Sequence, residues 1–395
     1  MRGKVLIVAA LFLLSLLGTE SAGAETTVTI WHSIGPSELR PFEDLVEEFM
    51  IDNPDINIVL EQKADMENVL KVTIPAGTGP DLFIWAHDWT GKMSEGGLLT
   101  PIDNFVTKEL MDKFTESARD AFRYNGHYYG VPYTAETTAL IYNKKLVPKA
   151  PESFDDMEKV MKAFKSRGLY GIATNPIEPY YLSAWMHAFG GFLFNDTSKK
   201  SGLGMPQTIK GTKFFYERVY PYMAQTDDYN AQVSVFRDGR APYIIDGPWS
   251  IPETKAAGID VGVAPIPYIN EGGKTYYPQP YSGIKGIYMT KNVRDAKAAW
   301  RFMEWFSTSD YVSKTLAMRN GYIPILKSAV EDPQIKNDPV LYGFARALEH
   351  AVPMPNSPEM GGVWDPARRA ALDIMSGKLN AESALKKADQ EIKST

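Results

Sequence analysis

The chain is 395 residues long and contains no cysteine. It can therefore form no disulfide, build no thiolate metal centre and carry no lipid on an N-terminal cysteine. Histidine is scarce: His32, His87, His127, His187 and His350 are scattered with no pair at i, i+4, so the helical spacing that grips zinc is missing. Each of the five reads as a structural or exposed side chain, and no metal is expected. Neither sign of charge dominates, since 42 Lys and Arg face 48 Asp and Glu for a formal net charge of −6. Such a chain has no surplus of cations to displace counterions along phosphates, which excludes a basic nucleic-acid binder. The sequence also lacks a Gly-rich phosphate loop followed by Lys-Ser/Thr, a Gly-x-Gly-x-x-Gly after the first predicted strand and a Gly-x-Ser-x-Gly elbow. No nucleotide or other cofactor is expected, and the familiar hydrolase signatures fail.

Apolar runs of the roughly 20 residues that a bilayer span needs are missing as well. The longest notable run, Val5 to Leu17, is shorter; it follows Arg2 and Lys4 and precedes Ala22-Gly23-Ala24, the small residues a signal peptidase reads. Residues 1–24 are thus predicted to be a secretory signal peptide cleaved after Ala24. The mature chain is expected in the periplasm with no lipid anchor, stabilised by core packing and hydrogen bonds alone.

What the sequence has is apolar and aromatic substance: 44% hydrophobic residues, 12% aromatic, 8 Trp and 21 Tyr. That apolar fraction excludes disorder, and at roughly 100–200 residues per domain the length suits two folded domains. From Thr27 onward short apolar runs alternate with helix-period segments. Val28 to Trp31 reads as a strand, after which Leu39, Phe42, Leu45, Val46 and Phe49 share one helical face. A strand at Ile56 to Leu60, a helix near Met66 to Ile74 and a strand at Asp81 to Trp85 follow. This alternation predicts an α/β fold with parallel sheets and crossover helices, whose ligands gather at the carboxyl ends of strands, where Trp31, Trp85 and Asp88 fall.

The alternation then restarts. Ser153 is placed to cap a helix that buries Met157, Val160, Met161 and Phe164, with Asp156 in the capping-box region. Strands are predicted at Leu169 to Ala173, Tyr243 to Asp246, Val261 to Ile266 and Gly286 to Met289, and helices near Lys213 to Met223 and Tyr229 to Arg237. A helix capped by Asn292 is expected to bury Ala299, Phe302, Met303 and Phe306. The tail from about Val340 reads as helical, with Asn380 capping the last helix. No linker separates the two halves, so the chain is expected to cross between lobes more than once.

Carboxylates beside aromatics recur at predicted loops and strand ends. They stand in Trp85-Ala86-His87-Asp88-Trp89, at Glu136, in Glu178-Pro179-Tyr180-Tyr181, in Asp246-Gly247-Pro248-Trp249 and in Trp364-Asp365-Pro366-Ala367-Arg368. Sugars need this combination. A pyranose offers apolar C–H faces that stack on aromatic rings and rim hydroxyls that donate charge-assisted hydrogen bonds to carboxylates. A single such cluster can equally be a core aromatic beside a solvated acid; five in loop contexts favour the sugar reading.

These clusters, together with Val131-Pro132-Tyr133-Thr134-Ala135-Glu136 running into Leu140-Ile141-Tyr142-Asn143-Lys144, closely resemble the maltose/maltodextrin-binding proteins of bacterial ABC importers. Gly79-Pro80-Asp81, Ala121-Phe122-Arg123-Tyr124-Asn125-Gly126 and Met354-Pro355-Asn356 recur in the same order, so the likeness spans nearly the whole chain from about Thr27. The resemblance implies a two-lobed periplasmic-binding-protein fold of type II, each lobe a mostly parallel sheet flanked by helices, with the ligand in the cleft between lobes. The N-terminal lobe would comprise 25–134 and 285–335, the C-terminal lobe 139–280 and 340–395, joined by three crossings. It further implies a monomer that closes on maltose or maltotriose, with trehalose the alternative, and hands it to the membrane permease of an ABC importer without enzymatic activity.

Carried across position by position, the family's sugar contacts fall on Trp85, Asp88, Glu136, Glu178, Tyr180, Trp249, Trp364 and Arg368, with Tyr229 and Met354 in support. Tyr180, Trp249 and Trp364 would be the stacking platforms; the acids would accept from hydroxyls, and Arg368 would donate or orient a neighbouring acid. Four positions depart from the family pattern. Gly35-Pro36 stands where an Asp-Lys pair is usual, Trp89 replaces an Arg, and Asp365 replaces a Tyr. Two rival readings are open: a glycoside hydrolase using Asp88 with Glu136 or Glu178, which needs carboxyl separations of about 5 Å or about 6.5–9.5 Å, and a binder of amino acids or peptides, which would want a cationic or helix-end site for a carboxylate.

Overall fold

The computed structural model describes residues 25–394; the predicted signal peptide and its cleavage site lie outside the described residues. Periodicity translates directly into the first half of the fold. Thr26–His32 pairs in parallel with Ile56–Gln62 on one side and Leu82–Ala86 on the other, the connections being the helices Pro36–Asp52 and Met66–Thr73. Pro36 opens the first helix, where its missing N–H is no loss, and Phe42, Leu45, Val46 and Phe49 at i, i+3, i+4, i+7 are buried. Tyr281–Met289 then lies between Leu82–Ala86 and Gly130–Thr137 and is antiparallel to both, while Val352–Pro353 pairs with its first two residues. A second sheet takes the order Val261–Ala264, Ala139–Asn143, Tyr243–Asp246, Ile172–Ala173.

The sheets are mixed, which refines the expectation of mostly parallel ones. Only the first three strands of the larger sheet follow the simple crossover pattern. In the smaller sheet Ala139–Asn143 runs antiparallel to both neighbours, and only Tyr243–Asp246 with Ile172–Ala173 is parallel. The reason is connectivity: the chain passes straight from Gly130–Thr137 in one sheet into Ala139–Asn143 in the other and later returns as Tyr281–Met289, so these strands enter against the crossover direction.

The apolar core follows the strand alternation. Ile141, Ile244 and Val261 join the core that runs from the larger sheet through Val340, Phe344 and Ala347, whereas Leu140, Tyr243 and Ile245 face a second core built on Phe154, Met157, Trp185 and Phe214. Among the described residues no helix is long and apolar enough to cross a membrane.

Several predicted elements shift. The helix burying Ala299, Phe302, Met303 and Phe306 is Ala296–Thr308, and its cap is Asp295, which accepts from Lys297 and Ala298 amides at 3.0 Å. Asn292 instead accepts from the Gly79 amide at 2.9 Å and donates to the Ile74 carbonyl at 3.1 Å, a long-range tie that local spacing cannot show. The helix expected near Lys213–Met223 begins at Pro206, ends at Phe214, widens over Phe215–Val219 and tightens into a turn at Tyr220–Tyr222; Pro221 cannot continue a helix. Leu169–Ala173 keeps strand pairing only at Ile172–Ala173. The tail is three helices, Pro339–Glu349, Trp364–Met375 and Ala381–Ser394, and Asn380 does cap the last, accepting from Ser383 at 2.9 Å.

One buried carboxylate fastens the larger sheet. Asp81 is 1% exposed; it accepts from the Thr29 amide and the Arg294 amide, each at 2.8 Å, and is paired with the Arg294 guanidinium. Burial alone would raise its pKa, yet Arg294 and the two amides outweigh it and hold the carboxyl below the usual range. Its stabilisation is therefore present above the ordinary carboxylate range and is lost as pH falls through the depressed value. Asp81→Ala leaves the half-buried Thr29 and Arg294 amide bonds unmade and removes the Arg294 pair, so urea unfolding at neutral pH is expected to show a loss of about 2 kcal/mol, shrinking as the pH is lowered below about 4.

Candidate functional site

The ends of both sheets open on one cleft of about 770 Å³, within the range of specific small-molecule sites. Strand Leu82–Ala86 delivers Trp85 to its rim, and a tight turn, His87–Trp89, then presents Asp88. The turn is fastened by the Tyr288 hydroxyl, which donates to the Ala86 carbonyl at 2.8 Å, and the Thr90 hydroxyl, which donates to the His87 carbonyl at 2.7 Å. Trp89 stacks behind Trp85 with ring centroids 4.3 Å apart. The residue that departs from the family's Arg is thus a packing support that also reaches the cleft wall.

Glu136, near the end of Gly130–Thr137, faces Gly283 across the strand pair. A Cβ on Gly283 would lie 3.0 Å from Glu136 Cγ and 3.1 Å from Met354 Cε, so glycine lets these two approach. Lys285, one side-chain step along the same strand, places its Nζ 3.0 Å from Glu136 Oε2 and 5.7 Å from the centre of the Trp249 ring. Burial disfavours the ammonium, but Glu136 and Glu38 more than offset this and raise its pKa.

The opposite wall comes from the smaller sheet and the tail. Glu178 caps helix Pro179–Ala188, whose first turn carries Tyr180. Burial raises the Glu178 pKa, countered by Arg368, whose Nε and Nη2 both reach Glu178 Oε2, at 2.9 and 2.8 Å. The remaining Arg368 nitrogen, Nη1, holds Asp365 Oδ1 at 2.7 Å. Trp364, Asp365 and Arg368 all lie in the first two turns of helix Trp364–Met375. Trp249 sits in a tight turn after Tyr243–Asp246; a Cβ on Gly247 would strike its ring at 2.1 Å, so only glycine allows the ring to fold back.

Eleven of the twelve predicted residues line this cleft: Trp85, Asp88, Trp89, Glu136, Glu178, Tyr180, Trp249, Met354, Trp364, Asp365 and Arg368. Tyr229 lies one layer behind. Its hydroxyl accepts from Trp249 Nε1 at 3.2 Å and donates to Asp246 Oδ2 at 2.8 Å, so it aims the Trp249 ring rather than facing the cavity. Asp246, fully enclosed, is pushed up to about 6 by burial against the Tyr229, Gly247 and Tyr181 bonds. Trp31 does not line the cavity; Lys63 covers its ring at 4.4 Å, and Ser33 and Ile34 reach the wall instead.

Lys285, Tyr181, Tyr133, Glu38 and the Glu67–Lys92 pair also line the cleft without having been predicted. A lysine in the otherwise apolar run Tyr-Ser-Gly-Ile-Lys-Gly-Ile-Tyr-Met was the available signal for the first. Lys71 and Lys92 supply cations on the wall whose first loop carries Gly35-Pro36 in place of the family's Asp-Lys.

Three residues of the cleft lining carry unmet hydrogen-bonding capacity. Asp88 Oδ1, Glu38 Oε1 and the Tyr133 hydroxyl are buried with no partner. Burial, reinforced by the charge of Glu136, pushes the Asp88 carboxyl up to about 7. Such groups beside exposed aromatic faces suit a ligand that brings both hydroxyl donors and apolar faces. Among the described residues no group of three or more His, Cys, Asp or Glu is placed to hold a metal.

The chain belongs to the bacterial extracellular solute-binding proteins, a family it matches over residues 44–342. It is 52% identical, over 92% of its length and 81% of the relative's, to a maltotriose-binding protein of Pyrococcus abyssi. In structure it is similar to the Thermus thermophilus maltotriose-binding protein bound with maltotriose (TM-score 0.84, 28% identity, 93% of this chain and 99% of that one). It is also similar to a cyclo/maltodextrin-binding protein complexed with maltotetraose (TM-score 0.77, 31% identity, 95% and 98% covered). The two-lobed α/β architecture is that of these solute-binding proteins.

The raised Asp88 pKa sets a pH dependence with a definite sign. Because the folded carboxyl holds its proton more tightly than the unfolded one, its presence destabilises the free protein increasingly as pH rises from about 4 to about 7. Asp88→Asn is therefore expected to raise the melting temperature of the ligand-free protein at pH 7 to 8, by a gain on the order of 2 kcal/mol, and to leave it near wild type at pH 4.

Proposed function

We propose that this protein captures maltose, maltotriose and related α-glucosides in the cleft and delivers them to the permease of an ABC importer, as a monomer outside the cytoplasmic membrane. The observation that carries this reading is that the unpartnered polar atoms Asp88 Oδ1, Glu38 Oε1 and the Tyr133 hydroxyl belong to residues lining the same cleft as the rings of Trp85, Tyr180, Trp249 and Trp364. A pyranose answers both features: its hydroxyls donate to Asp88 and Glu136, and its C–H faces lie on the rings. Each stacked ring contributes about 0.5–1.5 kcal/mol beyond burial, and each hydrogen bond to a charged group about 1.5–3 kcal/mol.

The lobes in this reading are 25–134 with 285–335 and 139–280 with 340–395, and closure about their crossings brings Trp85 and Asp88 against Glu178, Trp249 and Trp364. A sugar that touches both walls stabilises the closed form by its differential contacts. The permease would read the two lobe surfaces aligned by closure. Export in this reading rests on the signal peptide of residues 1–24, cleaved after Ala24. Capture needs no chemistry at the glycosidic bond: Lys285 already engages Glu136 and Arg368 already engages Glu178, so both acids are committed to orienting partners.

Titration with maltotriose, maltose and trehalose followed by Trp fluorescence tests the reading. Saturable binding of maltotriose and maltose is expected, with no glucose released on prolonged incubation. Trp249→Ala is expected to raise the dissociation constant well above tenfold, more than about 1.4 kcal/mol. Unchanged affinity in that variant would remove Trp249 from the site, and an affinity confined to trehalose would replace the ligand class.

A further inference from the structure

His87 stands between Trp85 and Asp88 in the sequence, is only 5% exposed and does not line the cleft. Its ring makes two hydrogen bonds, both to backbone. Nδ1 lies 3.1 Å from the Ile284 amide nitrogen, and Nε2 lies 3.1 Å from the Met354 carbonyl oxygen. An amide N–H can only donate, so Nδ1 is the bare nitrogen; Nε2 then carries the proton and donates to Met354. One tautomer satisfies both bonds. Asp196 is the charged group that bears on the ring, and burial outweighs it and lowers the His87 pKa to about 4, so the ring stays neutral at physiological pH.

The two partners belong to different segments of the chain. Ile284 is on the strand Tyr281–Met289 that pairs with the Trp85 strand, and Met354, a residue of the cleft lining, directly follows Val352–Pro353, which pairs with the start of that strand. The Met354 segment is tied to the start of that strand by Met354 N–H donating to Ser282 O at 3.0 Å. One step further on, Asn356 is held from both sides. Its side-chain amide donates to the Ala121 and Arg123 carbonyls, each at 3.3 Å, and its own amide donates to Asp196 Oδ2 at 2.9 Å. Gly91 N–H donates to Asn356 O at 3.2 Å, an approach so close that a Cβ on Gly91 would lie 2.5 Å from that oxygen.

We infer that His87 is the positioning residue of the closure equilibrium: it latches the Trp85–Trp89 wall to the Met354 segment at the floor of the cleft and so sets the resting angle of the lobes without touching the sugar. The inference rests on the closure reading above. Two substitutions divide the latch. Asn in place of His87 keeps an acceptor near Nδ1 for Ile284 and loses the donor to Met354; Gln keeps a donor near Nε2 for Met354.

The experiment compares wild type, His87→Asn and His87→Gln by small-angle X-ray scattering, free and with saturating maltotriose, alongside calorimetric affinity and melting temperature. The free His87→Asn protein is expected to be more expanded than wild type and to bind maltotriose about tenfold more weakly, with the complexes alike in shape; His87→Gln is expected to stay within about threefold of wild type and to match its free profile. A His87→Asn protein with wild-type scattering and affinity would overturn the inference. So would equal losses in both variants that follow the melting temperature, since those describe a fold contact alone. The free-state comparison needs no sugar, so a wild type that fails to bind maltotriose would overturn the closure reading while the latch was still judged by its free profiles.

Discussion

The cleft depends on the antiparallel pairing of Gly130–Thr137 with Tyr281–Met289. These strands carry the chain between the two sheets, and their register places Glu136 against Gly283 and Thr134 against Lys285. Glycine at that point brings Glu136 and Met354 together, and the lysine two residues on neutralises part of the acid that the same register creates. At the mouth of the pair the Thr137 hydroxyl donates to the Tyr281 carbonyl at 2.9 Å, so the crossings are bonded to each other where the walls diverge. A slip of one residue would turn Glu136 and Lys285 to the other face and dissolve the site.

The electrostatic design is a compromise between folding and binding. Lys285 and Arg368 neutralise Glu136 and Glu178, so these acids are oriented at modest expense to the free protein. Asp88 is left differently: buried, with one unpartnered oxygen and a carboxyl pushed up to about 7. A buried charge without a partner destabilises the state that holds it, and a hydroxyl donor relieves that state directly. In the proposed reading, stability withheld from the free protein becomes affinity for a hydroxylated ligand. The aromatic walls add a face without polar demands of its own.

Much of this was legible in the sequence where the signal is local. Helices Pro36–Asp52, Phe154–Lys165 and Tyr229–Arg237 follow from apolar spacing and from caps such as Ser153, whose Oγ accepts from the Asp156 amide at 3.2 Å. Asn292 was misread as a cap because its partners, Gly79 and Ile74, are more than 200 residues away. The antiparallel members of each sheet were not legible for the same kind of reason, since their direction is set by which sheet the chain comes from. In the site, the acids and rings stood out by their company, whereas Lys285 has meaning only beside Glu136. Tyr229 falls one layer behind the cleft wall, because sequence cannot distinguish a ring that lines a cavity from the hydroxyl that aims it.

A crystal structure of the complex with maltotriose tests the central claim most directly. A sugar hydroxyl is expected within hydrogen-bond distance of Asp88 Oδ1 and a pyranose face on Trp249, with the Glu136–Lys285 and Glu178–Arg368 pairs intact. Maltotriose seated elsewhere, or in the cleft with Asp88 Oδ1 still unpartnered, would contradict it.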